Sequence, residues 1–386
     1  MGAAGTDLRQ PLWTRDFILI CLTNFLLFTS FQFLMPVLPL YLQNLGAEKA
    51  VIGFINGIFT VAAVSVRPWV GRGLDKNGRR SFLLGGLLFF SLTVLTYRWS
   101  SLIWLVLAIR LLQGVSWGFS STAASTVAAD IIPSRRRGEG MGFYGMSTNV
   151  AMALAPGLGL LLLGARGFPA AFYAAFLLGM AALFLASRIA YQPLQLEQGG
   201  QRPALFEKSA FYPSMVSMIM TMGYGGVVSF LPLFAHEHGI ENIGPFFTAY
   251  ALTLMAGRPL SGFMYDRKGP HVMVIPGILL CALGGYVLSL AESMPGFLLA
   301  AAIYGAGFGA SMPALSALAI ARVSPARRGA ASATYFSSFD LGIGFGAIFL
   351  GFLSQWMGYA YMYRVAALIT LSALVVYWAF RPREGL

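Results

Sequence analysis

The chain carries 14 acidic residues, and 13 of them fall in polar connections or at the ends of apolar runs. Asp340 does not. It sits inside the run "SSFDLGIGFGAIFLG", twelve residues past Arg328, which is about 18 Å along a helix at 1.5 Å per residue. A carboxyl group that far from either interface is costly, so it marks a function: low dielectric disfavours the bare carboxylate, which takes up a proton or a cationic solute. A second charge, Arg110 in "RLLQGVSWG", is also set deep in an apolar run. Acid and base chemistry inside oil is thus what the charged residues offer.

The elements that must hold them follow from composition. Of 386 residues, 57% are hydrophobic and 10% charged, with mean hydropathy +0.71; a soluble domain would carry about 25% charged residues. Apolar runs of roughly 20 residues, enough to cross about 30 Å of hydrocarbon as helix, lie near 17–42, 51–71, 81–99, 101–130, 139–164, 168–191, 209–236, 243–264, 271–291, 295–321, 329–356 and 358–380. The expected fold is an all-α membrane protein with twelve transmembrane helices in two pseudo-symmetric six-helix bundles, residues 1–191 and 209–386. The polar segment 192–208, with Pro193, Gly199, Gly200 and Pro203, reads as the linker between them.

A repeat supports the division. Residues 67–78 read "RPWVGRGLDKNG" and residues 258–269 read "RPLSGFMYDRKG", an offset of 191 shared by Gly114 and Gly305, Gly118 and Gly309, Gly138 and Gly329, and Tyr144 and Tyr335. Lys and Arg cluster in alternate connections (Arg72, Lys76, Arg79, Arg80; Arg135 to Arg137; Arg202, Lys208; Arg267, Lys268; Arg327, Arg328). Basic residues near helix ends stay on the cytoplasmic side, so both termini and the linker are expected there, in a cell membrane. The net charge of +12 is explained by this topology. Its scatter over short loops excludes a nucleic-acid face.

The first apolar run is expected to serve as insertion signal without cleavage. "MGAAGT" matches a myristoylation pattern by chance, since one acyl chain adds nothing to twelve spans. Cys21 and Cys281, both in predicted spans, imply neither a disulfide nor a metal site.

Two six-helix repeats joined by a cytoplasmic linker suit a transporter that rocks two bundles about a central site. The stretch "GRGLDKNGRR" at 71–80 resembles the G-x-L-a-D-r-x-G-r-r signature of the major facilitator superfamily, and the resemblance covers all twelve predicted helices. "RLLQG" at 110–114 resembles the R-x-x-q-G motif of its proton-coupled drug exporters, whose arginine is linked to proton transfer. Pro156 and Gly159 in "ALAPGLG" resemble the antiporter pattern G-P-x-x-G-G, with Ala155 and Leu160 replacing two glycines. Pro156 alone would kink its helix by removing a backbone hydrogen bond.

The resemblance implies that Arg110 and Asp340 occupy facing halves of one cavity. Arg110 would then favour the ionised acid when near, and separation would change its proton affinity. A static ion pair, or Asp340 bonded to hydroxyls such as Ser337, is the alternative. Pseudo-symmetry implies a cytoplasmic latch: Asp75 against Arg327 and Arg328, and Asp266 against Arg135 to Arg137. Arg79 and Arg80 belong to the same loop, and Gly71 and Gly262 allow close helix approach. Plain topological charge in these loops is the competing account.

Cargo contacts are expected from Asn24, Phe28, Gln32, Asn149, Met218, Tyr224, Tyr304 and Tyr335, on helices that the resemblance puts around or beside the cavity. Methionine adapts to varied ligands, and aromatic faces attract cations. The expected function is a proton-coupled exporter of small amphipathic or drug-like compounds; the alternative cargo is a specific metabolite, metallophore or sugar. Partners are the small-molecule substrate, protons and the lipid bilayer, with a monomer expected. No cofactor is called for beyond the proton gradient. An enzyme is disfavoured, since one deep carboxyl is too few for aspartyl proteolysis and H-E-x-x-H does not occur; G-x-x-x-x-G-K-[ST] is also absent, which disfavours ATP-driven transport. "HEH" at 236–238 places its ligand atoms too close in sequence to converge on a metal.

Overall fold

The structure is a computed structural model that describes residues 11–133, 136–191, 207–321, 323 and 328–380. Within these the chain is helical, in ten runs: α1 (Arg15–Asn44), α2 (Lys49–Asn77), α3 (Arg79–Thr96), α4 (Ile103–Ile131), α5 (Arg137–Ser187), α6 (Phe211–Glu237), α7 (Gly244–Lys268), α8 (His271–Leu288), α9 (Met294–Ala321) and α10 (Arg328–Phe380). Nine candidate spans occur among the described residues.

Two runs are far longer than a bilayer is thick, and each turns back at one residue. Gly167 in α5 has φ 76° and ψ 179°, and Gly358 in α10 has φ 76° and ψ 171°. These glycines are 191 residues apart, so the repeat extends to the backbone and each long run is two spans joined by a glycine turn. Among the described residues the helices are consistent with the twelve-helix expectation. Gly78 and Gly269, the same distance apart, end α2 and α7 with φ 91° and 79°. No side chain tolerates that region cheaply.

The helices outlast their apolar runs. The sequence reading stops the second helix at residue 71 and the eighth at residue 264, whereas α2 continues to Asn77 and α7 to Lys268. Charged residues emerging from lipid keep their backbone hydrogen bonds paired until a glycine releases the chain.

Contacts divide the chain into two units, residues 1–34 with 65–199, and residues 35–64 with 200–386. Unit 1 is organised around Trp117 of α4, whose ring meets Phe28 at 4.7 Å, Phe31 at 4.4 Å and Phe90 at 5.7 Å between centroids. Unit 2 rests on α6 against α10, where a Cβ on Gly346 would run into the Met222 carbonyl. Unit 2 also takes in the start of α2: Lys49 bonds Glu237 at 2.8 Å and stands 3.9 Å over the Tyr359 ring.

Outside these cores, large apolar side chains face outward, among them Trp104 at 79% and Trp356 at 85% exposure. A surface so rich in exposed aromatic and aliphatic groups is a lipid-facing surface.

Candidate functional site: buried polar groups within two helical units

In unit 1 the largest fully buried side chain among the described residues is Arg110. It is 0% exposed, seven residues into α4, where a guanidinium survives only among acceptors and aromatic faces. Its Nη1 donates to Gln113 Oε1 at 2.8 Å, the Tyr97 hydroxyl donates to the same oxygen at 2.8 Å, and the Phe31 ring lies 5.8 Å from the guanidinium carbon. Helical spacing explains the first bond, since residues three apart are neighbours on a helix. Tyr97 reaches in from the turn after α3.

Asn24 of α1 anchors a second network, donating through Nδ2 to Ser147 Oγ and Thr148 Oγ1, both at 2.8 Å, and accepting the Tyr144 hydroxyl at 2.8 Å. A cargo contact from Asn24 would have to replace bonds that join α1 to α5. Phe28 is half-buried against Trp117, and Gln32 is 6% exposed. Asn149 lies on α5, its side chain outside the described residues. Gly159 of α5 receives the Phe33 backbone of α1 where a Cβ would stand, and Pro156 lies one turn before it inside the helix.

In unit 2, Asp340 is half-buried on α10. Two residues on, Gly342 meets the Met218 carbonyl of α6, so Asp340 sits at the level where α6 and α10 touch. Its neighbour Phe339 packs 6.2 Å from Phe308 of α9. Phe308 also meets Tyr224 at 5.0 Å and Tyr250 and Tyr304 at 6.3 Å each. The structure therefore brings Tyr224 and Tyr304 into one aromatic cluster with Tyr250 and Phe308. Tyr335, 2% exposed, donates to the Met312 carbonyl at 3.1 Å.

Tyr250 and Phe308 were not singled out from the sequence, although a signal existed. Phe308 stands 191 positions after Trp117, and Tyr304 the same distance after Gln113, so each unit places an aromatic and a polar residue at matching points of its helix.

The latch residues largely escape description. Arg135 and Arg327 lie outside the described residues; Gly71, Asp75, Arg137, Gly262, Asp266 and Arg328 are on described helices, with side-chain surroundings outside the description. Arg79 pairs within unit 1, its Nε 3.0 Å from Asp130 Oδ2 and its Nη1 donating to the Leu74 carbonyl at 2.6 Å. Arg80 is exposed near Tyr191, whose phenol is pushed up to about 12 by burial and held back by that arginine. In the "HEH" segment, Glu237 is engaged by Lys49, and His238 Nδ1 lies 2.9 Å from the Phe234 carbonyl. Among the described residues no His, Cys, Asp and Glu group can hold a metal.

Comparison with known proteins agrees with this architecture. The staphylopine export protein of Staphylococcus aureus is 20% identical over 95% of this chain and 96% of its own length. Multidrug resistance protein 2 of Bacillus subtilis is 23% identical over 73% of this chain and 74% of its own. The crystal structure of the nucleoside transporter NupG, 14% identical, superposes with a TM-score of 0.76 over 96% of this chain and 100% of that one. The model of the Major Facilitator Superfamily matches residues 20–247 and 214–385. With a doubled backbone and a family match along nearly its whole length, the chain is a multi-pass membrane transporter of the major facilitator superfamily, and not an enzyme.

Proposed function

We propose that the protein is a proton-coupled exporter of small amphipathic compounds, working by alternating access with Asp340 as its proton carrier. The observation that carries this reading is a half-buried carboxyl at the α6–α10 contact of a transporter. A carboxyl in that setting changes protonation with modest changes of surroundings. Arg110, fully buried and fixed by Gln113, supplies the opposing charge that the cycle moves toward or away from ionised acid. Similarity to a protein named for multidrug resistance supports an amphipathic cargo. So does the cluster of Tyr224, Tyr250, Tyr304 and Phe308, whose ring faces suit cationic and aromatic solutes.

A second reading keeps the mechanism and changes the cargo to a metallophore. The observation favouring it is end-to-end similarity to the staphylopine export protein. Under either reading the halves 1–191 and 209–386 are the moving bodies, Pro156 and Gly159 shape the fifth span, and the molecule acts as a monomer in a cell membrane with both termini cytoplasmic. The segments 71–80 and 262–269, with Arg135, Arg137, Arg327 and Arg328, form the latch that holds the linker end shut.

Liposomes containing the purified protein, given an imposed pH gradient, separate the two readings. Ethidium, a planar organic cation, and a carboxylate-rich metallophore are offered in turn. The leading reading expects gradient-driven movement of ethidium, lost in Asp340→Asn. Movement of the metallophore alone selects the second reading, and transport of either compound indifferent to the pH gradient ends both.

A further inference from the structure

One amide of unit 2 is buried with nothing to bond. Asn56 of α2 is 6% exposed, and neither its Oδ1 nor its Nδ2 has a hydrogen-bond partner. It stands seven residues past Lys49, where α2 begins. Three residues before it, a Cβ on Gly53 would run into the Ala347 carbonyl of α10; four residues after it, Thr60 lies against α10, where a Cβ on Gly344 would stand 2.8 Å from the Thr60 β-carbon. Residues three and four apart share one side of a helix, so Asn56 lies on the side of α2 that α10 covers. Its other helical neighbours at these spacings, Ile52 and Phe59, are apolar and buried.

Two structural roles do not account for it. An Asn inside a membrane protein can join helices by bonding across to the next one, and neither atom of this amide does so. Nor does the fold call for a polar group at this point of the helix. The position 191 residues later is Phe247 of α7, and the one matching Thr60 is Ala251, each 4% exposed. An amide shut in without partners raises the energy of the conformation that encloses it. The bonds of Asn56 therefore belong to a conformation in which α2 and α10 part.

The geometry points to Asn56 as a cargo-recognition residue for an uncharged group that carries both a donor and an acceptor, a carboxamide above all. Its Oδ1 accepts an N–H of the cargo and its Nδ2 donates to the cargo's carbonyl. Thr60, one turn on, adds a hydroxyl able to donate and accept. The Phe230 ring of α6, 3.1 Å from where a Cβ on Gly53 would lie, borders the same contact and suits the apolar body of such a molecule. This names a cargo class for the proposed exporter and rests on that reading only in that an amphipathic cargo reaches the site; it makes no use of Asp340.

Equilibrium binding to the purified full-length protein in detergent tests it. The probes are dansyl-phenylalaninamide, whose primary carboxamide is donor and acceptor, and its N,N-dimethyl derivative, which keeps the carbonyl and loses those donors; dansyl emission reports the binding of each. Wild type is expected to bind the primary amide about tenfold more tightly, the difference that one hydrogen bond makes. Asn56→Leu removes an unpaired amide, so it should unfold at no lower temperature than wild type, and it should bind the two probes equally. Should it fail to fold, Asn56→Ala takes its place with the same expectation. A packing role alone would alter the affinity for both probes by one factor and leave their ratio as in wild type. A tenfold preference that survives the substitution therefore overturns the inference, and so does a wild type that binds the probes equally or binds neither. No gradient enters the measurement, so such a result leaves proton coupling through Asp340 standing, and a failure of coupling in liposomes leaves the amide preference standing.

Discussion

A single amide oxygen holds the two buried polar side chains of the α4 site together. Gln113 Oε1 accepts from both Arg110 and Tyr97. Replacing Gln113 by Leu would leave two buried donors without that acceptor, each worth about 1–3 kcal/mol. Gln113→Leu should therefore lower the midpoint of thermal unfolding in detergent markedly, while Tyr97→Phe, which removes one donor and its need together, should lower it far less. Equal losses in the two variants would contradict this account of the network. Arg110→Lys should fold, because charge and length are kept, and yet transport poorly, because an ammonium does not reproduce the planar fork that Gln113 and Phe31 receive. Of this chemistry the sequence displayed Arg110, Gln113 and Asp340, since a charge or amide inside an apolar run is conspicuous. It did not display Tyr97, which stands just past the end of α3, where a polar residue is unremarkable until packing buries it.

The helices owe their form to the same few devices used twice. The apolar runs were legible because lipid demands about 20 such residues per span, and the observed α9, Met294–Ala321, departs from the sequence reading by one residue. What the sequence concealed was how spans connect. At Gly167 and Gly358 one residue reverses the chain, with φ of 76° in each case. Gly167→Ala and Gly358→Ala should each cost about 1–3 kcal/mol, the penalty a side chain meets at positive φ with extended ψ, a region that is essentially glycine's alone. Gly164→Ala, three residues away in ordinary helix with open space around it, should be neutral or stabilising by up to about 1 kcal/mol. Denaturation of the three variants side by side checks the contrast, and a destabilised Gly164→Ala would show that the turn is not what distinguishes these sites.

At the level of the whole molecule, residues 35–64 group with the second unit and not with the first half of the chain. Sequence symmetry cannot reveal this, because a repeat reports common descent of the halves and says nothing of which segment each half packs on. The grouping is held by the Lys49–Glu237 pair, by Gln355 meeting the Ala50 N–H and Glu48 at 3.4 Å each, and by close approach of Gly53 to Gly351. The ion pair is 31% and 45% exposed, so Lys49→Met should change stability by less than about 1 kcal/mol. If alternating access opens this contact, a short bifunctional thiol reagent bridging Lys49→Cys and Glu237→Cys should arrest transport, with each single variant unaffected by the reagent. Continued transport by the bridged protein would show that the contact stays closed throughout the cycle.

The most direct measurement is proton movement driven by cargo. Liposomes loaded with a pH-sensitive dye and holding either wild type or Asp340→Asn are given a gradient of a transported compound and no pH gradient. Wild type should drive protons against the cargo flow, and Asp340→Asn should let cargo run downhill with no proton signal. An equal proton signal from both proteins would contradict the role given to Asp340.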